Sequence, residues 1–318
     1  MNNSFTIERE VFDLKTKKLM LLCSLTIIAL LGMNGCTASK SSGVANELTF
    51  SLNGITKLEI SYDEEKVTFF TSDSDTLTVK EYMTVNNSRY YAKVDQRDGY
   101  IHISEGKRPF FKDSFERYIE VYLPATYNQN LTVTTTNGNI DMTDIEPNLS
   151  MLRVDSTSGT IKINNASASD IHLSTTSGTL DLGDIQANQI RLETTSGNLI
   201  CSALRGHVNY TSTSGNAEVK SAIGSGSYKA NNSGKLDVTY TKVDGDISLF
   251  NKNDGIVLVL PADLDFYFEG TTKNSSISTT FQECIAVKGR TTSGTVGSSP
   301  TVTVKVETNN GEIQVEQK

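Results

Sequence analysis

The chain has 318 residues, with 29 Lys and Arg against 37 Asp and Glu, a formal charge of −8, no Trp and only five Pro. An acidic surface repels nucleic acid and anionic lipid rather than collecting them, so nucleic-acid binding is excluded as a function. Four cysteines with no CxxC pair, and three scattered histidines, give no metal-ligand spacing and call for no cofactor.

The first element is a leader. Lys15, Lys17 and Lys18 precede Leu19–Met33, an almost purely apolar run of 15 residues. A membrane-spanning helix needs ~20 residues, so this run has the proportions of a signal-peptide core behind a positive n-region. It ends in Met33-Asn34-Gly35-Cys36, followed by a polar tract. A small residue before a cysteine at that point resembles the bacterial lipoprotein processing signal. The resemblance implies that residues 1–35 are removed and that the Cys36 thiol carries a diacylglycerol anchor. Met33 and Asn34 depart from the usual Leu and Ala or Ser, and plain cleavage or an uncleaved anchor are the competing readings. Residues 36–46 then form a polar tether. Without residues 1–35 the chain keeps 25 basic and 34 acidic side chains, a charge of −9.

Residues 47–130 hold 14 Phe or Tyr, against four in the next 130 residues. Strand-like runs such as "KLEISY", "KVTFFTS" and "YIEVYLP" alternate with polar turns but show no fixed period. They predict an N-terminal β cap, sandwich-like or a widened first coil. A stacked structure needs such a cap to keep its end from aggregating.

From residue 131 a repeat takes over. "TTTNGNIDM" returns as "DSTSGTIKI", "STTSGTLDL", "ETTSGNLIC", "TSTSGNAEV" and "ANNSGKLDV", with glycines at 138, 159, 178, 197, 215 and 234. Two and four residues after each glycine stand apolar residues, such as Leu180 and Leu182, with a mostly charged column between them. Five and seven residues before it stand two more apolar columns, and Ile145, Ala166, Ile185 and Leu204 add another. Apolar-polar alternation is the mark of a strand with one buried face. No 19-residue unit can bury that face alone, so the copies must stack. The expected fold is all-β: a single-stranded, β-helix-like β-solenoid over 131–318, with a sharp turn at each glycine, at positive φ. "RTTSGTVGS" and "ETNNGEIQV" are expected to close it.

The strand "YIEVYLPA", the following "LTVTTTNGNIDM", the serial "TTSGTLDL" turns and the terminal "TNNGEIQV" resemble the bacterial putative-adhesin family, a domain of unknown function related to auto-transporter adhesin heads. The likeness spans roughly residues 47–318. It implies a surface-exposed β-solenoid, non-catalytic, in adhesion or envelope sensing.

Catalytic constellations are scarce. His172 sits between inward Ile171 and Leu173 and so points to solvent, while His207 lies in a turn; neither belongs to a nucleophile motif. Glycan-cleaving β-helices gather carboxylates in one outward column, but Asp141 and Asp181 stand two coils apart with Lys162 between them. The Asp- and Asn-rich turns lack the nonapeptide calcium pattern and the EF-hand loop, and no metal site is expected. Cys201 falls in an inward column; Cys284 is unplaced, and two buried free thiols are expected rather than a disulfide. Arg108, Phe110, Phe111 and Phe115 in "RPFFKDSFERY" form a candidate partner-contact loop, with burial in the cap as the other reading. The expected protein is no enzyme. It is an exported, lipid-anchored binding or sensing module on the outer face of a bacterial membrane, its partner an envelope polymer or a surface protein. A glycan-active enzyme on a parallel β-helix is the alternative.

Overall fold

The computed structural model describes residues 43–110 and 115–318. Among them the chain is strand and turn, with helical geometry only in the single 3-10 turns Ser88–Tyr90 and Gln282–Cys284. From the N-terminus the strands are β1 (Val44–Ser51), β2 (Lys57–Tyr62), β3 (Lys66–Ser72), β4 (Thr76–Met83), β5 (Lys93–Arg97), β6 (Tyr100–Ser104), β7 (Arg117–Pro124), β8 (Asn130–Thr135) and β9 (Ile140–Asp144). β8 and β9 are the first repeat copy. β2 and β3 make a coil lying parallel against it, Leu58 opposite Leu131 and Val67 opposite Ile140. β6 and β7 make the next coil outward, parallel to β2 and β3. Antiparallel strands then end the stack: β5 beside β6 on one face, and β4 followed by β1 beside β7 on the other.

The aromatic N-terminal region thus continues the solenoid's own sheets, closer to the widened coil than to the sandwich of the two expected forms. Strand also begins inside the expected tether, at Val44. The period is invisible there because the two coils are interrupted by long excursions and lie in reversed spatial order.

The middle of the stack is regular. β10 (Asn148–Ser156) is followed by β11 (Ile161–Thr175), β12 (Leu180–Thr194), β13 (Leu199–Ser212), β14 (Ala217–Ala230) and β15 (Leu236–Asn251), each parallel to the one before. One tight turn per coil, at the glycine, suffices, because β11 to β15 each run unbroken through 14–16 residues. Doubled outward positions, Asn164-Asn165 and Ser169-Asp170 in β11, mark the two corners where inward alternation changes phase. Leu180 and Leu182 are buried and Asp181 between them is half-exposed. Each fully buried Leu or Ile contributes ~1.5–3 kcal/mol, and the columns run the length of the stack.

At the C-terminal end the reversal recurs. The strands are β16 (Ile256–Leu260), β17 (Phe266–Thr272), β18 (Ile277–Thr279), β19 (Ile285–Lys288), β20 (Thr291–Val296), β21 (Val302–Thr308) and β22 (Ile313–Gln317). The last coil in sequence, β21–β22, is inserted between β15–β16 and β17–β18. β20 and β19 then close one face in antiparallel pairing. "ETNNGEIQV" is therefore a coil as expected. "RTTSGTVGS" is not: Gly294 lies within straight β20. The turns "YDEEK", "NKNDG" and "TKNSS" play the glycine-turn part without the repeat signature.

The glycine column has a different cause from the one expected. Gly138, Gly159, Gly178, Gly197 and Gly215 do not have positive φ; Gly234 does, at 109°, in a turn one residue longer than its neighbours'. Their requirement is close approach: a Cβ on Gly178 would stand 2.0 Å from the carbonyl oxygen of Gly159, and the others meet the previous turn likewise. The residue three before glycine closes each turn from inside. Thr135, Ser156, Thr175, Thr194 and Ser212 form a buried polar column. The Ser156, Thr175 and Ser212 hydroxyls accept the backbone N–H of Gly159, Gly178 and Gly215 at 2.9, 3.0 and 2.7 Å. A buried N–H left without a partner costs ~1–3 kcal/mol, so this column stabilises the turns.

Candidate functional site

The turns align into a solvent-exposed ridge. Thr136, Thr157, Thr176, Thr195 and Thr213 are exposed along it; the hydroxyls that hold the turns are the buried ones one position earlier. Toward the C-terminal end the ridge becomes a ladder of amides. Asn274 donates its Nδ2–H to Asn310 Oδ1 at 2.6 Å, Asn310 to Asn253 at 2.7 Å, Asn253 to Asn232 at 3.3 Å, and Asn232 to Ser214 Oγ at 3.3 Å. Four coil steps at ~4.8 Å make this row ~19 Å long. Each inner amide uses one donor and one acceptor within the row, and an amide carries two donors and two acceptor lone pairs. The remainder faces water.

Just past the ridge, Asn139, Asn198 and Asn216 turn their Oδ1 atoms to the backbone N–H of Thr160, Asn216 and Lys235. Their amide N–H groups are thereby directed outward. Asn198, Asn216, Lys235, Glu218 and Asp237 line an open groove of about 370 Å³ whose floor includes the exposed Ile200. Polar donors, carboxylates and one apolar contact in a shallow trough suit a polar polymer. They do not enclose a reacting group.

The outward charged column appears in the expected order, with Lys162 paired between Asp141 and Asp181. Lys66 adds an ion pair to Asp141 at 3.2 Å. On the opposite leg Arg153, His172 and Arg191 stand in lateral register. Arg153 Nη1 lies 2.9 Å from His172 Nδ1, and Glu193 lies 3.7 Å from His172 Nε2. Arg153 also pairs with Asp155 and Arg191 with Glu193. His172 is half-buried rather than freely solvated, and burial, then Arg153, holds its pKa below the usual 6.5. His102 and His207 each meet a serine hydroxyl at 3.1 Å. Among the described residues no group of three or more His, Cys, Asp or Glu side chains is placed to hold a metal.

The candidate contact loop divides. Arg108 is not presented to a partner: its guanidinium is held by Glu64, Glu65 and Glu105. Phe115 packs edge-on against Tyr90 at 5.3 Å and lies under the Arg117 guanidinium. Phe110 projects, 93% exposed. Phe111 and Cys36 lie outside the described residues. Sequence reasoning missed the hub of this region. Fully buried Arg117 pairs with Glu65 at 2.9 Å and with Glu105, and donates to the Tyr90 carbonyl at 2.6 Å. Glu65 occupies the glycine position of its turn, since a Cβ on Gly138 would strike its carbonyl oxygen. Nearby, buried Glu81 accepts from Asn46, the Ala92 N–H and the Tyr62 hydroxyl. Burial nevertheless raises its pKa, and that of Glu105.

Of the cysteines, Cys201 is buried, its thiol pushed up to about 12 by burial, whereas Cys284 is exposed. The expectation of two buried thiols fails for Cys284, which precedes β19, a strand that pairs only with β20 among the described residues.

Fold and site together define an all-β solenoid whose exposed features are repeated polar rows. The Toastrack DUF4097 family model matches residues 55–316, and the chain belongs to this family. Among solved structures it is similar to a putative adhesin from Bacteroides fragilis, at 13% identity over 87% of this chain and 98% of that one, TM-score 0.42. A putative adhesin from Parabacteroides distasonis shares 11% identity over 85% and 96%, TM-score 0.40. A putative cell adhesion protein from Clostridium sporogenes shares 12% over 86% and 99%, TM-score 0.23. Likeness this distant carries no argument about function. No curated protein matches the chain.

Proposed function

We propose that the protein is a non-catalytic, adhesin-like binding module of the bacterial cell envelope, exported and lipid-anchored through Cys36, which holds an envelope polymer or surface protein along its turn ridge. The observation that carries this reading is the continuous row Asn274–Asn310–Asn253–Asn232–Ser214, with the Ile200 groove beside it. Such a row offers the same contact at every coil step and suits a repeating ligand. A single substrate needs a preorganised pocket instead.

The test is co-sedimentation of soluble residues 43–318 with purified cell-wall polysaccharide. Ile200→Asp and Asn253→Ala should each weaken retention severalfold, with the polymer recovered at unchanged length. Retention unaffected by either change would discard the ridge. The anchor is tested separately: Cys36→Ala should abolish incorporation of labelled palmitate.

One observation favours the glycan-active alternative, the Arg153–His172–Glu193 contact on one outward face. Release of new reducing ends by the parent protein, lost in His172→Ala, would establish it.

A further inference from the structure

Of the exposed large apolar side chains of the first coils, Val94 lies on β5, and the other four, Val44, Val85, Phe110 and Tyr118, lie on or beside β1, β4 and β7. Val44 opens β1 and pairs with Tyr82, which pairs with Tyr118 at the start of β7; the two tyrosine rings stack at 4.3 Å. Val44, Val85, Phe110 and Tyr118 are 42, 44, 93 and 43% exposed. The loop that presents Phe110 is braced. Lys107 N–H donates to the Arg89 carbonyl, a Cβ on Gly106 would strike the Tyr91 carbonyl oxygen, and Arg108 is clamped by three glutamates. The exposure of Phe110 is thus built on a fixed base.

Seven residues, 37–43, separate Cys36 from Val44. The eight steps from Cys36 to Val44 reach no more than ~29 Å when fully extended. An anchor at Cys36 therefore keeps Val44 within that reach.

We propose that the rim formed by Val44, Val85, Phe110 and Tyr118 rests on the outer leaflet of the lipid bilayer that carries the anchor, so that the solenoid stands with its asparagine ridge directed away from the membrane. The proposal rests on acylation of Cys36. A short tether gives the rim a high effective concentration at the lipid surface, so a contact too weak to recruit a free protein is sufficient. The driving force is apolar, because an acidic chain gains no attraction from an anionic lipid surface. Tyr118 suits an interface, its ring apolar and its hydroxyl wet, and Phe110 adds purely apolar surface.

The test uses the full-length lipoprotein, with Cys284→Ser, in vesicles of phosphatidylethanolamine and phosphatidylglycerol containing doxyl lipid. An environment-sensitive fluorophore is placed at Val85→Cys, Phe110→Cys or, as the distal control, Asn274→Cys. The labels at 85 and 110 should shift to the blue and be quenched by doxyl lipid, with no change at 274. Phe110→Ser should reduce the quench at 85. Acylation of Cys36 is read independently by intact mass. A protein without the acyl chain would refute the anchor. A label at 110 that stays unquenched, or quenching equal at 110 and 274, overturns the rim whether or not the acyl chain is present.

Discussion

The middle and the N-terminal end of the stack solve the same problem in opposite ways. In the middle, the turns from Gly138 to Gly215 repeat one plan: glycine against the previous turn, a buried serine or threonine three residues before it, and apolar columns behind. At the end, the glycine place is taken by Glu65 and the tight turn of the outermost coil opens into the 105–116 loop. Arg117 and Arg108 bind the carboxylates that result, and antiparallel β1, β4 and β5 offer no parallel edge for another coil. Repetition lets a solenoid propagate; charge, loop insertion and strand reversal make it stop. The C-terminal end uses reversal too, with β21–β22 tucked inside β17–β18 and β19–β20 antiparallel outside.

This contrast predicts where substitutions hurt and by what mechanism. The largest effect is expected in the middle. Leu182→Asp places an unpaired carboxylate in the core and should cost on the order of 3 kcal/mol or more, whereas Asp181→Ser should cost under about 0.5 kcal/mol. Equal shifts in Tm for the two would refute the register. At the end, Arg117→Met leaves Glu65 and Glu105 with Arg108 as their remaining cation and should cost about 3 kcal/mol. Faster amide exchange should appear in residues 57–124 and not in 161–230. A loss spread evenly over both segments would erase the distinction between end and middle.

Smaller effects sharpen the comparison. Thr175→Val removes the acceptor of the Gly178 N–H while keeping the shape, and should cost about 1–2 kcal/mol by chemical denaturation. Glu81 tests the end by pH. Burial holds its folded pKa above the ordinary 4.5. The folded chain then binds that proton more readily than the unfolded one, so stability rises as pH falls from neutral through the raised value, and the gain is complete below 4.5. Glu81→Gln should flatten that part of the profile. An unchanged pH dependence would show that the carboxylate is compensated by its three donors.

How much of this was legible follows from the same contrast. The inward columns, the coil length and the stacking of 131–251 were readable because identical neighbours impose identical residues. The cause of the glycines was not: close approach to the previous turn leaves the same letter in the sequence as a positive φ. The coils at 57–72 and 100–124 were hidden because their turn residues are Glu and a 12-residue loop, and because their partners in space are out of chain order. In the loop, "RPFF" read as one sticky unit, yet three glutamates far apart in sequence claim Arg108 and leave Phe110 outside. The asparagine ladder joins residues 253, 274 and 310, whose turns carry three different sequences, so alignment on glycine could not connect them.

The central claim, binding along repeated coils rather than turnover at one of them, is tested most directly by in-register deletion. Residues 217–235, a whole 19-residue unit, are removed, then 199–235, and affinity for the cell-wall polysaccharide that the parent retains is measured alongside assay for released fragments. The account predicts a stepwise fall in affinity with each coil removed and intact polymer throughout. Complete loss of activity on removal of one coil, together with fragment release by the parent protein, would contradict it.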